Sequence, residues 1–226
     1  MPLVPAGDPV PRHGFRGEVA RPRFPRTLTI AVSRQAGARG GTIARRVGQK
    51  LGWQVVDQDL VEYMVRQGSA GDDIQAAARE WAETRIAELR ANGMLGQELD
   101  ETARVILALG ATGEVIIVGR GAGLILPAAT TLHVRFVAPR ADRVAYFTQW
   151  LRLAPDEAEI QVDLRDARRT QYLLEQLNVD AHDPTNYDLV LNSSRLGEEQ
   201  CAEIVARAAK AKSVERGADA ESEFVR

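Results

Sequence analysis

The sequence predicts a three-layer α/β/α domain around a five-stranded, mainly parallel sheet. Three observations predict it. Short β-branched and apolar runs alternate with longer segments of helical period, the order that makes right-handed β–α–β crossovers. One run, Glu114–Val118 (EVIIV), is apolar without alternation, as a strand covered on both faces is. The segments after the first three runs, Ser33–Thr42, Asp57–Asp59 and Gly119–Gly123, concentrate Gly, Arg and Asp. Ligands gather at that carboxyl edge in sheets of this kind.

Taken in order, Thr27–Val32 (TLTIAV) is the first strand, and it stops at the polar, glycine-rich Ser33–Gly41. Thr42–Leu51 follows as a helix, with Ile43, Val47 and Leu51 four apart on one face and Gly52 as its cap. Trp53–Val56 is the second strand, ending at Asp57-Gln58-Asp59, and Leu60–Arg66 starts a helix. Gly68–Asp73 reads as a loop whose Asp72 caps a long helix over Ile74–Ala91. Asn92–Gly96 breaks that helix, and Leu99–Leu109 is helical again. After the third strand, Glu114–Val118, come a fourth over Thr131–Val137 and a helix over Arg140–Leu151. Pro155-Asp156-Glu157 is an acidic, proline-led helix start, and that helix runs to about Gln176. Tyr187–Leu191 (YDLVL) is the fifth strand and Gly197–Lys210 the closing helix.

The chain has 226 residues, 45% of them hydrophobic, enough for one sizeable core. A formal charge of −2 gives no reason to expect duplex DNA or another nucleic acid as partner. No apolar run of about 18 residues occurs, so no membrane-spanning helix and no membrane partner are expected. The single cysteine, Cys201, excludes an internal disulfide framework and reads as a packed helix residue. That usage suits a reducing, cytoplasmic location. Residues 1–26 lack an apolar core and carry Pro2, Pro5, Pro9, Pro11, Pro22 and Pro25. They read as a disordered leader, and 212–226, charged and aromatic-poor, as a flexible tail. The domain is expected between them, over 27–211.

Strand, then Ser33-Arg34-Gln35-Ala36-Gly37-Ala38-Arg39-Gly40-Gly41-Thr42, then helix is the topology of a phosphate-binding loop. Glycines let backbone N–H groups turn inward, and the helix N-terminus adds partial positive charge. Gly37, Ala38, Gly40, Gly41 and Thr42 are the candidate cradle, and the Thr42 hydroxyl is placed to bind Mg²⁺. The usual pattern is G-x-x-x-x-G-K-[ST], or one ending in GKGT. Here Arg34 stands at the first glycine and Gly40 at the lysine. That lysine neutralises charge on the transferring phosphates. Arg34 or Arg39 curling over the loop would supply a guanidinium in its place. The same stretch also reads as a flexible strand–helix turn.

Gly119-Arg120-Gly121 follows the third strand. Glycines allow close approach and arginine forks onto phosphate, so Arg120 is a candidate for an anionic group. The alternative is a structural pair with Asp57 or Asp59. Those two carboxylates suit a metal-bound water, a substrate or Arg120, and equally a turn with a helix N-cap. Arg165, Arg168 and Arg169 share one helical face and could close over a triphosphate. They read equally as a solvated face bridged to Asp163 and Asp166. His133 lies inside a strand and reads as packed, His182 as a loop residue.

Several of these stretches together resemble a known family. SRQAGARGGTIARRVGQKLGWQVVDQDLV is similar to the opening of the cytidylate kinase-like family, a branch of the nucleoside monophosphate kinases. VIIVGRGAGLILP resembles its VIVGRGA segment. LHVRFVAPRADRV and YDLVLNSSRLGEEQ resemble its fourth strand and its C-terminal strand and helix. The likeness runs from about Thr27 to Ala209. It implies a P-loop NTPase-like fold, with a helical substrate-side insertion over 58–112 and a lid-like helical region over 152–185. It implies ATP and Mg²⁺, and a CMP-like nucleoside monophosphate whose phosphate Arg120 holds, with Gly119 and Gly121 around it. The family's lid arginines fall on Arg165, Arg168 and Arg169.

This sequence departs from the family pattern at Gly40, which replaces the lysine, and at Gly121, which replaces the aspartate of a GRD segment. Gln35, Ala36 and Arg39 also depart from its ISRE-x-GSGG opening. Two functions stay in view. One is an ATP-dependent phosphotransferase with Arg34, Arg39, Arg120, Arg165, Arg168 and Arg169 as its catalytic charge. The other is a nucleotide-binding regulator that kept the fold and lost the lysine. Ile74–Ala91 reads either as internal packing or as a homodimer face.

Overall fold

Neighbouring strands in the computed structural model, which describes residues 24–67 and 76–224, all run parallel. They are β1 (Thr29–Arg34), β2 (Gln54–Val56), β3 (Val115–Val118), β4 (Thr131–Val137) and β5 (Leu189–Asn192), in the spatial order β2-β3-β1-β4-β5. The strand order reverses at β1, so the crevice beyond its carboxyl end is the favoured ligand position.

The period of two along β1 divides two cores. Ile30 and Val32 point to one side, where they meet Ile43 and Val47 of α1 (Gly40–Leu51) and Cys201 and Val205 of α8 (Ser193–Phe224). Cys201 is fully buried there, the packed residue its spacing predicted. Ala31 points to the other side, with Val56 and Ile117, against α4 (Asp100–Thr112) and the single turn α5 (Ala122–Ile125). Each fully buried Ile or Val of these layers contributes roughly 1.5–3 kcal/mol by leaving water.

The remaining helices form two arms above the sheet edge. One is α2 (Gln58–Gln67) with α3 (Ala76–Ala91) and α4. The other is α6 (Arg140–Leu151) with α7 (Pro155–Leu177). Ala78, Ala82, Ile86 and Leu89 of α3 are buried inside the chain. The arms also touch. Gly96 N–H donates to Gln176 O at 2.8 Å, and Leu173 and Leu177 of α7 share one apolar cluster with Leu95 and Leu99.

Among the boundaries that differ from the sequence reading, three follow from named contacts. β1 continues two residues past Val32, because pairing of Ser33 with Arg135 and of Arg34 with Phe136 carries the polar pair into the sheet. β5 starts at Leu189, after a turn in which Asp183 caps Thr185. α8 starts at Ser193, where Asn192 Oδ1 accepts from Ser194 and Arg195 N–H, and passes a non-helical Gly197. It continues to Phe224, through the tail placed at 212–226, where the spacing alone ended it near Lys210. The 68–73 loop, Asp72 and residues 1–23 of the leader lie outside the described residues. No described helix is long and apolar enough to cross a membrane.

Candidate active site

A cavity of about 310 Å³ opens at the carboxyl edge of β1, β3 and β4, under α7. Arg34, Arg120, Arg135, Arg168 and Arg169 line it, with Asp166 as its acidic residue. The expected cradle residues Gly37, Ala38, Gly40, Gly41 and Thr42 do not line it, and Ser33, Arg34 and Gln35 are its border toward the β1–α1 loop. The conformation of that loop is set by contacts that the sequence does not announce. Ala36 N–H donates to Asp166 Oδ1 at 2.6 Å, and Asp166 Oδ2 accepts from Arg143 Nη1 at 2.5 Å. Arg143, only 7% exposed, also donates to Ala36 O and Ala138 O. Gly37 has φ +79, and a Cβ there would stand 2.7 Å from the Arg143 carbonyl. Loop, α6 and α7 are therefore tied into one unit. By contrast the N–H groups of Gly37, Arg39, Gly40, Gly41 and Thr42 have no hydrogen-bond partner among the described residues. The last three are the orphan donors of a helix first turn.

Arg34 occupies the ground next to Gly40. A Cβ on Gly40 would stand 2.7 Å from Arg34 Cβ and 3.3 Å from Phe136 Cδ2. The lysine position thus has no room for a side chain while Arg34 is present. The guanidinium lies over Gly119, whose Cβ would collide with Arg34 Nη1. Its pKa is lowered to about 10, first by burial and next by the like charge of Arg169, with Asp57 opposing. It remains charged at neutral pH. No ion pair to Arg34 is present among the described residues.

This pairing carries a prediction. Gly40→Lys alone is expected to cost about 2 kcal/mol through overpacking. Arg34→Gly, which restores the usual glycine–lysine arrangement, is expected to recover most of that loss in the double variant. Chemical denaturation of all four proteins reads the coupling. Additive losses would mean that Arg34 and Gly40 do not share this space.

Arg120 sits at φ 54, an uncommon left-handed conformation for a residue with a side chain. Its ion pair is to Glu62 of α2, not to Asp57 or Asp59 as one reading expected. Its Nε is buried without a partner, and its guanidinium lies 5.5 Å from the Tyr172 ring centroid. Asp57 Oδ1 accepts from Leu60 N–H at 3.1 Å, so Asp57 caps α2. Asp57 and Asp59 border Arg34 electrostatically, but Gln58 between them is the residue that lines the cavity.

The arginines of α7 diverge. Arg168 and Arg169 line the cavity, and Arg169 Nη1 is buried, 3.7 Å from Asp166 Oδ1. Arg165 points away and lies over the Phe147 ring at 5.0 Å. Asp163, the other expected partner, pairs with Arg140. Arg39 is not brought to the cavity either. Its φ of 58 turns it to the Tyr146 ring, at 5.3 Å, and to Glu198. Thr42 stands in the first turn of α1, its hydroxyl without a partner among the described residues. His133 is buried in β4, with Nε2 3.0 Å from the Oγ of the cavity residue Ser33. Burial lowers its pKa to about 4, against the Asn186 carbonyl and Asp188.

Arg135, Arg143, Glu62 and Gln58 are the site residues that sequence reasoning missed, and Asp166 was read as a partner of the α7 arginines but not as the anchor of the β1–α1 loop. A lone arginine in the apolar run LHVRFV was the one available signal.

The parallel sheet in 2-3-1-4-5 order, the loop between β1 and α1 and the arginine-lined cavity above them define a P-loop kinase-like, nucleotide-binding α/β fold. The profile of the Cytidylate kinase-like family matches residues 29–195, and the chain belongs to that family. Among solved structures, an uncharacterized protein from Eubacterium ventriosum overlays with a TM-score of 0.60 at 13% identity. The overlay covers 82% of this chain and 99% of that one. A shikimate kinase from Bacteroides thetaiotaomicron gives a TM-score of 0.45 at 13% identity, over 81% and 96% of the two chains. Among curated proteins, a uronate isomerase from Corynebacterium glutamicum is 32% identical over 146 residues. That stretch is 62% of this chain and 25% of the isomerase, so the chain spans about a quarter of that relative's length.

Proposed function

We propose that the protein is an ATP-dependent phosphotransferase acting on a nucleoside monophosphate, CMP-like in its phosphate and sugar. The observation that carries the reading is the half-buried Arg34 guanidinium, without an ion pair among the described residues, at the end of the strand that leads into a loop with free N–H groups. Partial desolvation of a cation without a direct partner is costly, and a bound anion relieves the cost. Gly37, Ala38, Gly40, Gly41 and Thr42 frame the ATP phosphates in this reading. Arg34 takes the part of the usual lysine, its planar fork contacting two phosphate oxygens. The unpartnered Thr42 hydroxyl fits Mg²⁺, which supplies charge neutralisation on the phosphates when bound. Arg120, held by Glu62 with Gly119 and Gly121 leaving space, receives the acceptor's phosphate. Arg168 and Arg169 stabilise charge on the transferring group. Such a reaction asks mainly for positioning and electrostatics.

A single buried cysteine and the lack of a long apolar helix among the described residues support a cytoplasmic setting for this chemistry. The absence of the lysine supports a second reading, a nucleotide-binding regulator without turnover. A coupled assay across the common nucleoside monophosphates, run beside calorimetry of ATP with and without Mg²⁺, separates them. Turnover with at least one acceptor is expected. Tight ATP binding with no turnover selects the regulator, and no binding at all ends both.

A further inference from the structure

Three adjacent strands each deliver an arginine to the cavity. Arg120 follows β3, Arg34 ends β1 and Arg135 lies on β4. Neighbouring strands stand about 4.8 Å apart, so the outer two arginines are rooted roughly 10 Å from one another. The phosphate-transfer reading assigns Arg120 and Arg34 and leaves Arg135 without a task.

Arg135 is built into the cavity wall. The register pairs it with Ser33, so it stands on the same face of the sheet as Ser33 and His133. Its Nη1 donates to Tyr187 Oη at 3.0 Å, and its guanidinium lies 5.2 Å from the centroid of that ring. Tyr187 in turn donates to Ala181 O at 2.9 Å. The guanidinium is thereby aimed, yet no carboxylate pairs with it among the described residues. Arg169 lines the same cavity and is coupled by charge to both Arg135 and Arg34, with a buried Nη1 that lacks a hydrogen bond. Asp166, the acidic residue of the lining, is already committed to Ala36 N–H and Arg143. The lining also offers little to a base. Leu173 and Ala181 are its apolar side chains, and Tyr172 is engaged with Arg120.

We propose that the acceptor carries two anionic groups, one phosphate at Arg120 and a second at Arg135, with Arg169 over the space between them. The inference rests on the phosphotransferase reading and replaces its nucleoside monophosphate acceptor with compact molecules bearing two anions no more than about 10 Å apart. Recognition here is by charge at two ends, with the base or carbon skeleton secondary.

The test uses the full chain saturated with a non-hydrolysable ATP analogue and Mg²⁺, so that the β1–α1 loop is filled. Calorimetry then compares CMP with cytidine 3′,5′-bisphosphate, and fructose 6-phosphate with fructose 1,6-bisphosphate. Each pair differs by one phosphate. In at least one pair the bisphosphate is expected to bind roughly 10- to 100-fold tighter, the worth of one charge-assisted hydrogen-bonded contact. Arg135→Gln is expected to remove that advantage, lowering the bisphosphate affinity by a larger factor than the monophosphate affinity, and Arg135→Lys to keep part of it. Equal affinities within both pairs overturn the proposal, as does an advantage that survives in Arg135→Gln. The wild-type comparison needs no variant, so a poorly folding variant does not blunt it. Failure of the ATP analogue to bind is a separate readout, and it removes the phosphotransferase reading along with the proposal.

Discussion

Arg34→Met is expected to stabilise the free protein while weakening ATP binding about 100-fold. The guanidinium is half-buried and feels the charges of Arg169 and Arg120, and no ion pair is made to it among the described residues. Burial is the largest cause of its lowered pKa and Arg169 the next, so the charged form is disfavoured where it stands. The sign follows. A cation whose folded pKa is lowered to about 10 burdens the fold fully at every pH below about 10. The burden fades as pH rises from about 10 toward the ordinary value of the unfolded chain. Methionine keeps the unbranched length and removes the charge. A gain of about 1–2 kcal/mol is expected, a rise of roughly 3–6 °C in Tm for a chain of this size. The same charge is what a phosphate would pair with, so stability and affinity move in opposite directions. Melts with and without ATP·Mg²⁺ read both. A lower Tm with unchanged ATP affinity would make Arg34 a structural prop.

The fold was legible because its signals are local. The β-branched runs and the glycine at Gly52, in the left-handed conformation at φ 73, mark strand and helix ends within a few residues. Helix α6 has the bounds its spacing predicts, between Pro139 and Arg152. The site was legible only in part, because its decisive contacts are remote in sequence. Asp166 reaches Ala36 across 130 positions and Arg135 reaches Tyr187 across 52. Neither pair leaves a spacing rule in the chain. Arg120 stood out because glycines flank it. Arg39 stood out for the same reason and was misplaced by it, since its positive φ directs the side chain to Tyr146 and Glu198. Glycine-rich context marks where the backbone can turn, and φ then decides which way a neighbouring side chain leaves.

The exchange of residues in the β1–α1 loop has the same non-local character. Read one position at a time, Arg34 and Gly40 are two separate departures from a familiar pattern. In space they are one event, because the side chain that appears at 34 fills the volume that a side chain at 40 would need. The missing lysine is therefore no sign by itself of a decayed site. A cation stands instead at the strand end, six positions earlier, with its guanidinium over Gly119.

A second large effect is expected from acid. His133 is 5% exposed, and burial holds its pKa near 4 against about 6.5 in an unfolded chain. The Asn186 carbonyl and Asp188 favour its charged form, while Arg135 and Lys212 oppose it. Above pH 6.5 neither state of the ring is protonated, and its contribution to stability is complete. As pH falls from 6.5 toward 4 only the unfolded chain takes up the proton, so stability drops. By pH 4 the loss from this one residue is about 3 kcal/mol. His133→Gln keeps a polar group near Ser33 Oγ and removes the titration. Urea unfolding at pH 7 and pH 4 should then show the variant losing about 3 kcal/mol less than wild type, beneath the loss that the carboxylates impose on both. Equal losses would mean that the ring is protonated in the fold as readily as outside it. Ser33 Oγ lies 3.0 Å from Nε2 and lines the cavity, and a doubly protonated ring can act toward that hydroxyl only as a donor. Acid therefore acts on a residue of the cavity wall as well as on the stability of β4.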